Sequence, residues 1–92
     1  PEGAPLALAL EPVRNPVQGT LAVRFALPNA APASLELLDV AGRRVAAQDV
    51  GSQGAGEYTV SLGEGQRLAP GLYLVRLRQG TDSRVARVTV LQ

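Results

Sequence analysis

The stretch APGLYLVRLRQG, residues 69–80, decides the fold of this chain. Apolar side chains recur in it at every second position, at Tyr73, Val75 and Leu77. Successive side chains of a strand point to opposite faces, so this spacing predicts a strand with one buried face. Pro70 and Gly71 mark its start, because proline ends the preceding loop and glycine permits a tight approach of the backbone. We expect Tyr73 to point inward and its hydroxyl to find a partner at the rim of the core.

The same alternation recurs in seven short runs that are separated by glycine, proline and asparagine. The runs lie at 6–10, 21–27, 33–37, 45–47, 58–62, 73–77 and 86–90. No window has sustained helical spacing, so the pattern predicts an all-β protein, an antiparallel β-sandwich of about seven strands. A closed barrel is the alternative. At 92 residues the chain forms one domain, with 6–92 as the sandwich and 1–5 as a linker remnant.

The alternation also predicts how the core is composed. Tyr73 lies on the apolar phase of its strand, and we expect it to pack in one core with residues on the apolar phases of other strands. Those residues are Phe25, Leu35, Leu37 and Val88.

The segment DVAG, residues 39–42, is the sharpest local signal. Asp at the first position of a type I turn accepts hydrogen bonds from the amides of its own turn, and Gly at the fourth takes a positive φ. Asp39 and Gly42 therefore predict a turn between the strand at 35–37 and one that begins at Arg43. A Ca²⁺ site at Asp39 is the weaker interpretation, because such a site needs several converging oxygens and the sequence has no D-x-D run.

Composition excludes several classes of function. The chain has no Cys and no His, which removes thiol nucleophiles, zinc sites of the usual ligands and histidine acid–base catalysis. Its net charge is +1, and its three aromatic residues are too few for a nucleic-acid groove. No apolar run is long enough to span a membrane. We expect no catalytic, cofactor-binding or metal-binding residues, and therefore not an enzyme.

Three leucines break the strict alternation. Leu38, Leu72 and Leu74 oppose the apolar phase of their strands. One interpretation is a central strand that is partly covered on both faces, for instance by a neighbouring loop, or a bend at the start of the strand. The other is an exposed apolar patch for docking.

Four arginines lie in the last two strands, which the turn QGTDS at 79–83 should pair as a hairpin. By parity Arg76, Arg78 and Arg87 share a face, and Arg84 falls on the other. They form either a solvated face that protects the sheet edge or a basic docking strip.

The order of five motifs resembles a known family. They are NP at 15–16, VRFALP at 23–28, LELLDVAGRRV at 35–45, PGLYLVRL at 70–77 and RVARVTVL at 84–91. Together they resemble the C-terminal sorting domain of type IX secretion cargo, and the pattern is shared with the Ig-like domain of flagellar hook-capping proteins. The chain departs from the sorting pattern where Arg84 and Arg87 stand in place of Lys and Leu38 in place of Tyr. The positive charge is retained when Arg replaces Lys, although Arg and Lys are not equivalent hydrogen-bond donors.

The resemblance implies an Ig-like β-sandwich that directs type IX secretion and cell-surface attachment of a larger secreted protein. Its implied partners are the outer-membrane secretion machinery and a surface sortase. The implied recognition residues are Pro70, Gly71, Tyr73, Arg76, Arg78, Arg84 and Arg87. The alternative is a structural Ig-like spacer or an accessory domain of hook-cap or carbohydrate-binding type. A sugar platform needs exposed aromatic rings, whereas alternation places all three rings inside.

Overall fold

A computed structural model describes residues 7–51, 54–63 and 68–91. The linker expected at 1–5 lies outside these residues. The described residues form seven strands and no helix, and hence no helix that could cross a membrane. The strands are β1 (Ala9–Pro12), β2 (Leu21–Leu27), β3 (Ala33–Asp39), β4 (Arg44–Asp49), β5 (Gly56–Leu62), β6 (Gly71–Gln79) and β7 (Asp82–Val90).

The strands form two antiparallel sheets, one with the order β1-β2-β5 and the other with the order β4-β3-β6-β7. The chain changes sheet between β2 and β3, between β4 and β5, and between β5 and β6. The expected sandwich is confirmed, and the barrel alternative is wrong because the strands belong to two separate sheets. β6 and β7 form the expected hairpin, in which Gln79 pairs with Asp82.

The core lies between the two sheets and is built from the predicted apolar phases. Tyr73 is buried at 8% exposure and belongs to one core cluster with Phe25, Leu35, Leu37 and Val88, as expected. Burying large side chains stabilises each by about 1.5–3 kcal/mol relative to exposure, so this cluster dominates stability. The other members of the cluster are Leu8, Val17, Leu21, Val23, Leu27, Ala33, Val50, Leu62, Val75, Leu77 and Val90.

The DVAG turn has the predicted geometry. The Gly42 amide donates to the Asp39 carbonyl at 3.0 Å, and Gly42 has a φ of 86°. The amides of Ala41 and Arg43 both donate to Oδ1 of Asp39 at 2.9 Å. The hydrogen bond from the Arg43 amide is the main cause that lowers the pKa of Asp39. The carboxylate therefore serves the turn, and the next strand begins at Arg44, one residue later than expected.

Two strands differ from the sequence prediction. β1 begins at Ala9 rather than at Leu6, which lies outside the described residues. In β4, Val45 and Ala47 were expected to share a face. The register instead places Ala46 opposite Leu37 and then jumps to Arg44 opposite Leu38. This β-bulge adds one residue at Val45 and so changes the phase of the strand.

Candidate functional site

The outward face of the four-stranded sheet brings most of the predicted arginines together. Residues that are paired across adjacent strands lie side by side on the same face. The middle row runs from Ala47 through Glu36 and Arg76 to Val85. We call this surface the arginine face. Its charged and larger apolar members are Glu36, Leu38, Arg44, Asp49, Leu72, Leu74, Arg76, Arg78, Val85 and Arg87.

Glu36 lies at the centre of the arginine face and is held by two arginines. Its Oε1 accepts from Nε of Arg76 at 2.8 Å and lies 2.7 Å from Nη2 of the same side chain. Its Oε2 accepts from Nη1 of Arg44 at 3.4 Å. The Glu36 side chain is only 9% exposed, whereas that of Arg44 is 64% exposed. A buried carboxylate is costly unless it is paired, so this pairing is what lets the sheet carry Glu36.

The same contacts set the protonation of Glu36. The side-chain hydrogen bond from Arg76 is the largest cause of a lowered pKa at Glu36, and it outweighs desolvation, which acts in the opposite direction. The charges of Arg76 and Arg78 and the hydrogen bond from Arg44 lower the pKa further. Glu36 is therefore an anion that fixes arginines in place, rather than a proton donor.

Apolar side chains flank this ionic cluster on one side, whereas the row on its other side, Asp49, Ser34, Arg78 and Ser83, is polar. Leu72 is 40% exposed and Val85 is 58% exposed. Leu38 and Leu74 are half-buried and lie opposite each other. Leu38 and Leu74 are therefore partly covered, whereas Leu72 is open to solvent. An exposed apolar patch with a charged rim is typical of a protein-binding surface.

The sequence-predicted arginines occupy the faces that parity assigned. Arg87 pairs with Leu74 and so lies on the arginine face with Arg76 and Arg78. Arg84 pairs with Leu77, an inward residue, and is exposed at the end of the sheet. Arg76 is half-buried against Glu36, and the side chains of Arg78 and Arg87 are exposed.

Pro70 directly precedes β6, and Gly71 and Tyr73 lie at its start, where their geometry serves the fold. The Tyr73 hydroxyl donates to the Ala69 carbonyl at 2.7 Å, so the expected partner at the rim of the core is present. Gly71 has a φ of 148°, and no heavy atom lies within 4 Å of the position that a Cβ would take. The expected tight approach is therefore wrong, since glycine is needed there for its backbone angle.

This tyrosine is a known device of Ig-like sandwiches, which bury a tyrosine near the start of the penultimate strand and bond its hydroxyl to the backbone upstream. The structure contains a second tyrosine of this kind, which the sequence motifs did not identify. Tyr58 is the third residue of β5, and its hydroxyl donates to the Gly54 carbonyl at 2.8 Å. Its ring lies 5.6 Å from that of Phe25. The Gly-x-Tyr pattern, which occurs at both 56–58 and 71–73, is the sequence feature that could have identified Tyr58.

Asn15 is a further residue whose contacts the sequence did not reveal. It belongs to the Asn-Pro motif, and its side chain bonds to β7. Its Oδ1 accepts from the Thr89 amide at 3.0 Å, and its Nδ2 donates to the Arg87 carbonyl at 3.2 Å.

Other parts of the described surface offer less chemistry. A depression of about 270 Å³ on the outside of the three-stranded sheet contains Glu11, Arg24 and Glu57. Arg24 lies 3.7 Å from Glu11, and no hydroxyl, thiol or imidazole lines the depression. No group of three or more metal-binding side chains occurs among the described residues.

Comparison with known proteins supports the Ig-like architecture. The sequence profile of one family, described as the FlgD Ig-like domain, matches residues 14–83. The match spans more than half of the chain and includes β2 to β6. No curated protein matches the chain.

Proposed function

This chain belongs to the FlgD Ig-like domain family, and from that premise we propose that it is a non-catalytic accessory domain of a larger protein, which binds a partner protein through the arginine face. This proposal rests on one observation: the outward face of one sheet combines exposed Leu72 and Val85 with Arg76, which Glu36 fixes, and with the exposed side chains of Arg78 and Arg87. Arginine is enriched at protein interfaces, and four of the chain's nine arginines, Arg44, Arg76, Arg78 and Arg87, lie on this face.

Preorganisation supports this proposal. Glu36 holds Arg76 in one geometry, so Arg76 loses little further side-chain freedom on binding. The outward face of the three-stranded sheet differs. The residues of β2 on that face, Ala22, Arg24 and Ala26, include no large apolar side chain. A carbohydrate-binding role is not favoured, since Phe25 is 2% exposed and Tyr73 is 8% exposed.

Site-specific photo-cross-linking in the full-length protein, in the organism that encodes it, tests the docking role. The photoreactive residue p-benzoylphenylalanine is placed at position 72 or 85, and at Thr59 on the opposite sheet as the matched control. We expect the same cross-linked partner from both test positions, none from the control, and loss of the product with Arg87→Glu. Failure to cross-link from either test position would contradict docking and leave a structural spacer.

A second candidate is the sorting domain of type IX secretion. It is favoured by two exposed arginines of the β6–β7 hairpin, Arg84 and Arg87, which lie within the RVARVTVL motif at 84–91 that helps to carry the resemblance. In this role the hairpin is recognised by the outer-membrane secretion machinery and a surface sortase, and the larger protein is placed at the cell surface.

A reporter with a Sec signal, fused to this domain in a type IX-competent host, tests sorting. We expect the reporter outside the cell, and its retention when Arg84→Glu and Arg87→Glu are combined. Arg24→Glu, on the other sheet, is the control that should be exported normally. A folded fusion that stays in the periplasm beside an exported authentic sorting domain would rule out this role.

A further inference from the structure

β7 is the last strand of its sheet, so one of its sides has no neighbouring strand. In an antiparallel ladder, alternate residues turn both backbone polar groups toward the partner or away from it. The amide and carbonyl of Thr89 point away from β6, because they bond to Asn15 and Val17. Residues of the same parity, Ser83, Val85 and Arg87, therefore also direct their backbone groups to the outer edge.

The second half of this edge is already covered by the segment 15–17. Asn15 bonds to the Thr89 amide and to the Arg87 carbonyl. The Val17 amide donates to the Thr89 carbonyl at 2.7 Å, and the Leu91 amide donates to the Val17 carbonyl at 2.8 Å. This half is closed to strand addition.

The first half of the edge is open. Within the described part of the chain, no backbone partner bonds to the amide or carbonyl of Val85, or to the amides of Ser83 and Arg87. The Ser83 carbonyl is occupied only by Nη1 of the adjacent Arg84, at 2.7 Å. That side chain is exposed and can swing away. Val85, at the middle of this half of the edge, is 58% exposed.

We propose that the edge at 83–87 accepts an extended acidic segment of the partner protein as an additional antiparallel strand. The inference rests on the proposed docking function and specifies its mode. Main-chain bonds to an exposed edge give such complexes affinity, and alternate side chains give specificity. Charge selects the occupant, because the hairpin 71–90 carries three exposed arginines, Arg78, Arg84 and Arg87, against one carboxylate, Asp82. A second copy of this chain is disfavoured, since it would bring two sets of the same arginines to one short edge.

The register defines the segment that fits. The residue opposite Val85 exchanges both backbone hydrogen bonds with it and adds an apolar side chain to the arginine face. Residues opposite Arg87 and Arg84 carry carboxylates. The latter carboxylate draws the Arg84 guanidinium away from the Ser83 carbonyl, which then accepts from the new strand. Because the new strand is antiparallel, its sequence from the N-terminus is an acidic residue opposite Arg87, any residue opposite Ala86, an apolar residue opposite Val85 and an acidic residue opposite Arg84.

The test uses the 92-residue chain and the fluorescein-labelled peptide Thr-Glu-Thr-Val-Glu-Thr, with fluorescence anisotropy as the binding assay. We expect saturable binding and slower hydrogen exchange at the amides of Ser83, Val85 and Arg87. Val85→Pro removes the outward amide, spares the bonds to β6, and should weaken binding at least about tenfold. Val85→Thr retains the amide and is the matched control.

Two further peptides keep the test decisive if Val85→Pro does not fold. N-methylation at the central valine blocks its backbone bond and should abolish binding, and lysine in place of both glutamates should do the same. Equal binding of the N-methylated peptide, or of the peptide to folded Val85→Pro, would overturn strand addition. A dimer dissolved by Val85→Pro, with no peptide binding, would instead identify a second copy as the occupant and overturn the proposal. Cross-links from position 72 that persist in a Val85→Pro full-length protein would reject strand addition and leave docking standing.

Discussion

Replacing Tyr73 separates its two contributions to the fold. Its ring is 8% exposed within the core cluster, and its hydroxyl donates to the Ala69 carbonyl at 2.7 Å. Tyr73→Phe removes only that hydrogen bond, for an expected loss of about 1 kcal/mol. Because Ala69 is exposed, water replaces the lost donor and the loss should not exceed this value. Tyr73→Ala also leaves a cavity, and we expect it to cost about 3–5 kcal/mol.

Urea unfolding followed by far-UV circular dichroism measures both losses without needing a tryptophan, which the chain lacks. With a slope of about 1 kcal/mol per molar urea for a domain of this size, Tyr73→Phe should lower the midpoint by about 1 M. Tyr73→Ala should lower it by at least about 3 M, a large share of the stability of a small domain. If Tyr73→Phe leaves the slope of unfolding free energy against urea concentration unchanged, the variant and the original chain expose the same surface on unfolding, and their midpoints can be compared directly.

Tyr58 is the matched control, because its hydroxyl makes the equivalent bond to the Gly54 carbonyl at 2.8 Å. Tyr58 is only half-buried, so Tyr58→Ala should cost less than Tyr73→Ala. A loss below about 1 kcal/mol for Tyr73→Ala would mean that the ring faces water and that the phase of β6 is wrong. A larger loss at Tyr58 than at Tyr73 would refute the same reasoning.

Three further outcomes follow from particular contacts. Gly42→Val should destabilise by more than about 1 kcal/mol in urea unfolding, because Gly42 has a φ of 86°, while Gly42→Asn should cost less. The pKa of Glu36 is lowered in the folded state, so its contribution is complete above its unfolded pKa and is lost as the pH falls. Urea midpoints should therefore drop below about pH 4.3, with a smaller drop in Glu36→Gln. Asn15→Ala should accelerate hydrogen exchange at the Thr89 amide, since it removes the acceptor of that amide.

Local signals explain why much of the fold was predictable. Alternation assigned the inward phase of β6 correctly because a strand that is buried on one face has a period of two. The DVAG turn was predictable because Asp39 and Gly42 satisfy it within five consecutive residues, up to Arg43. Both features depend only on residues that are close together in sequence, so the sequence alone is enough to predict them.

The features that sequence missed depend on pairing between distant residues. The phase of β4 changes at a bulge that is fixed by its register with Leu37 and Leu38. Glu36 looked like an ordinary outward residue, since its partner Arg76 lies 40 positions along the chain. Asn15 is further still from its acceptor, 72 positions before Arg87. Such contacts require the three-dimensional register, which periodicity does not contain.

β6 contributes one face to the core and the other to the proposed docking surface. Its inward residues hold the core, whereas Arg78 on the outward phase is exposed. A substitution at Arg78 or at exposed Arg87 therefore changes the arginine face without leaving a buried group unpaired, and such surface changes usually alter stability by less than about 0.5 kcal/mol. Arg76 differs, because its removal would leave the nearly buried Glu36 carboxylate with only Arg44 at 3.4 Å. Lost binding in an Arg76 variant would thus mix folding with docking, whereas variants of Arg78 and Arg87 report on the proposed docking with little effect on folding.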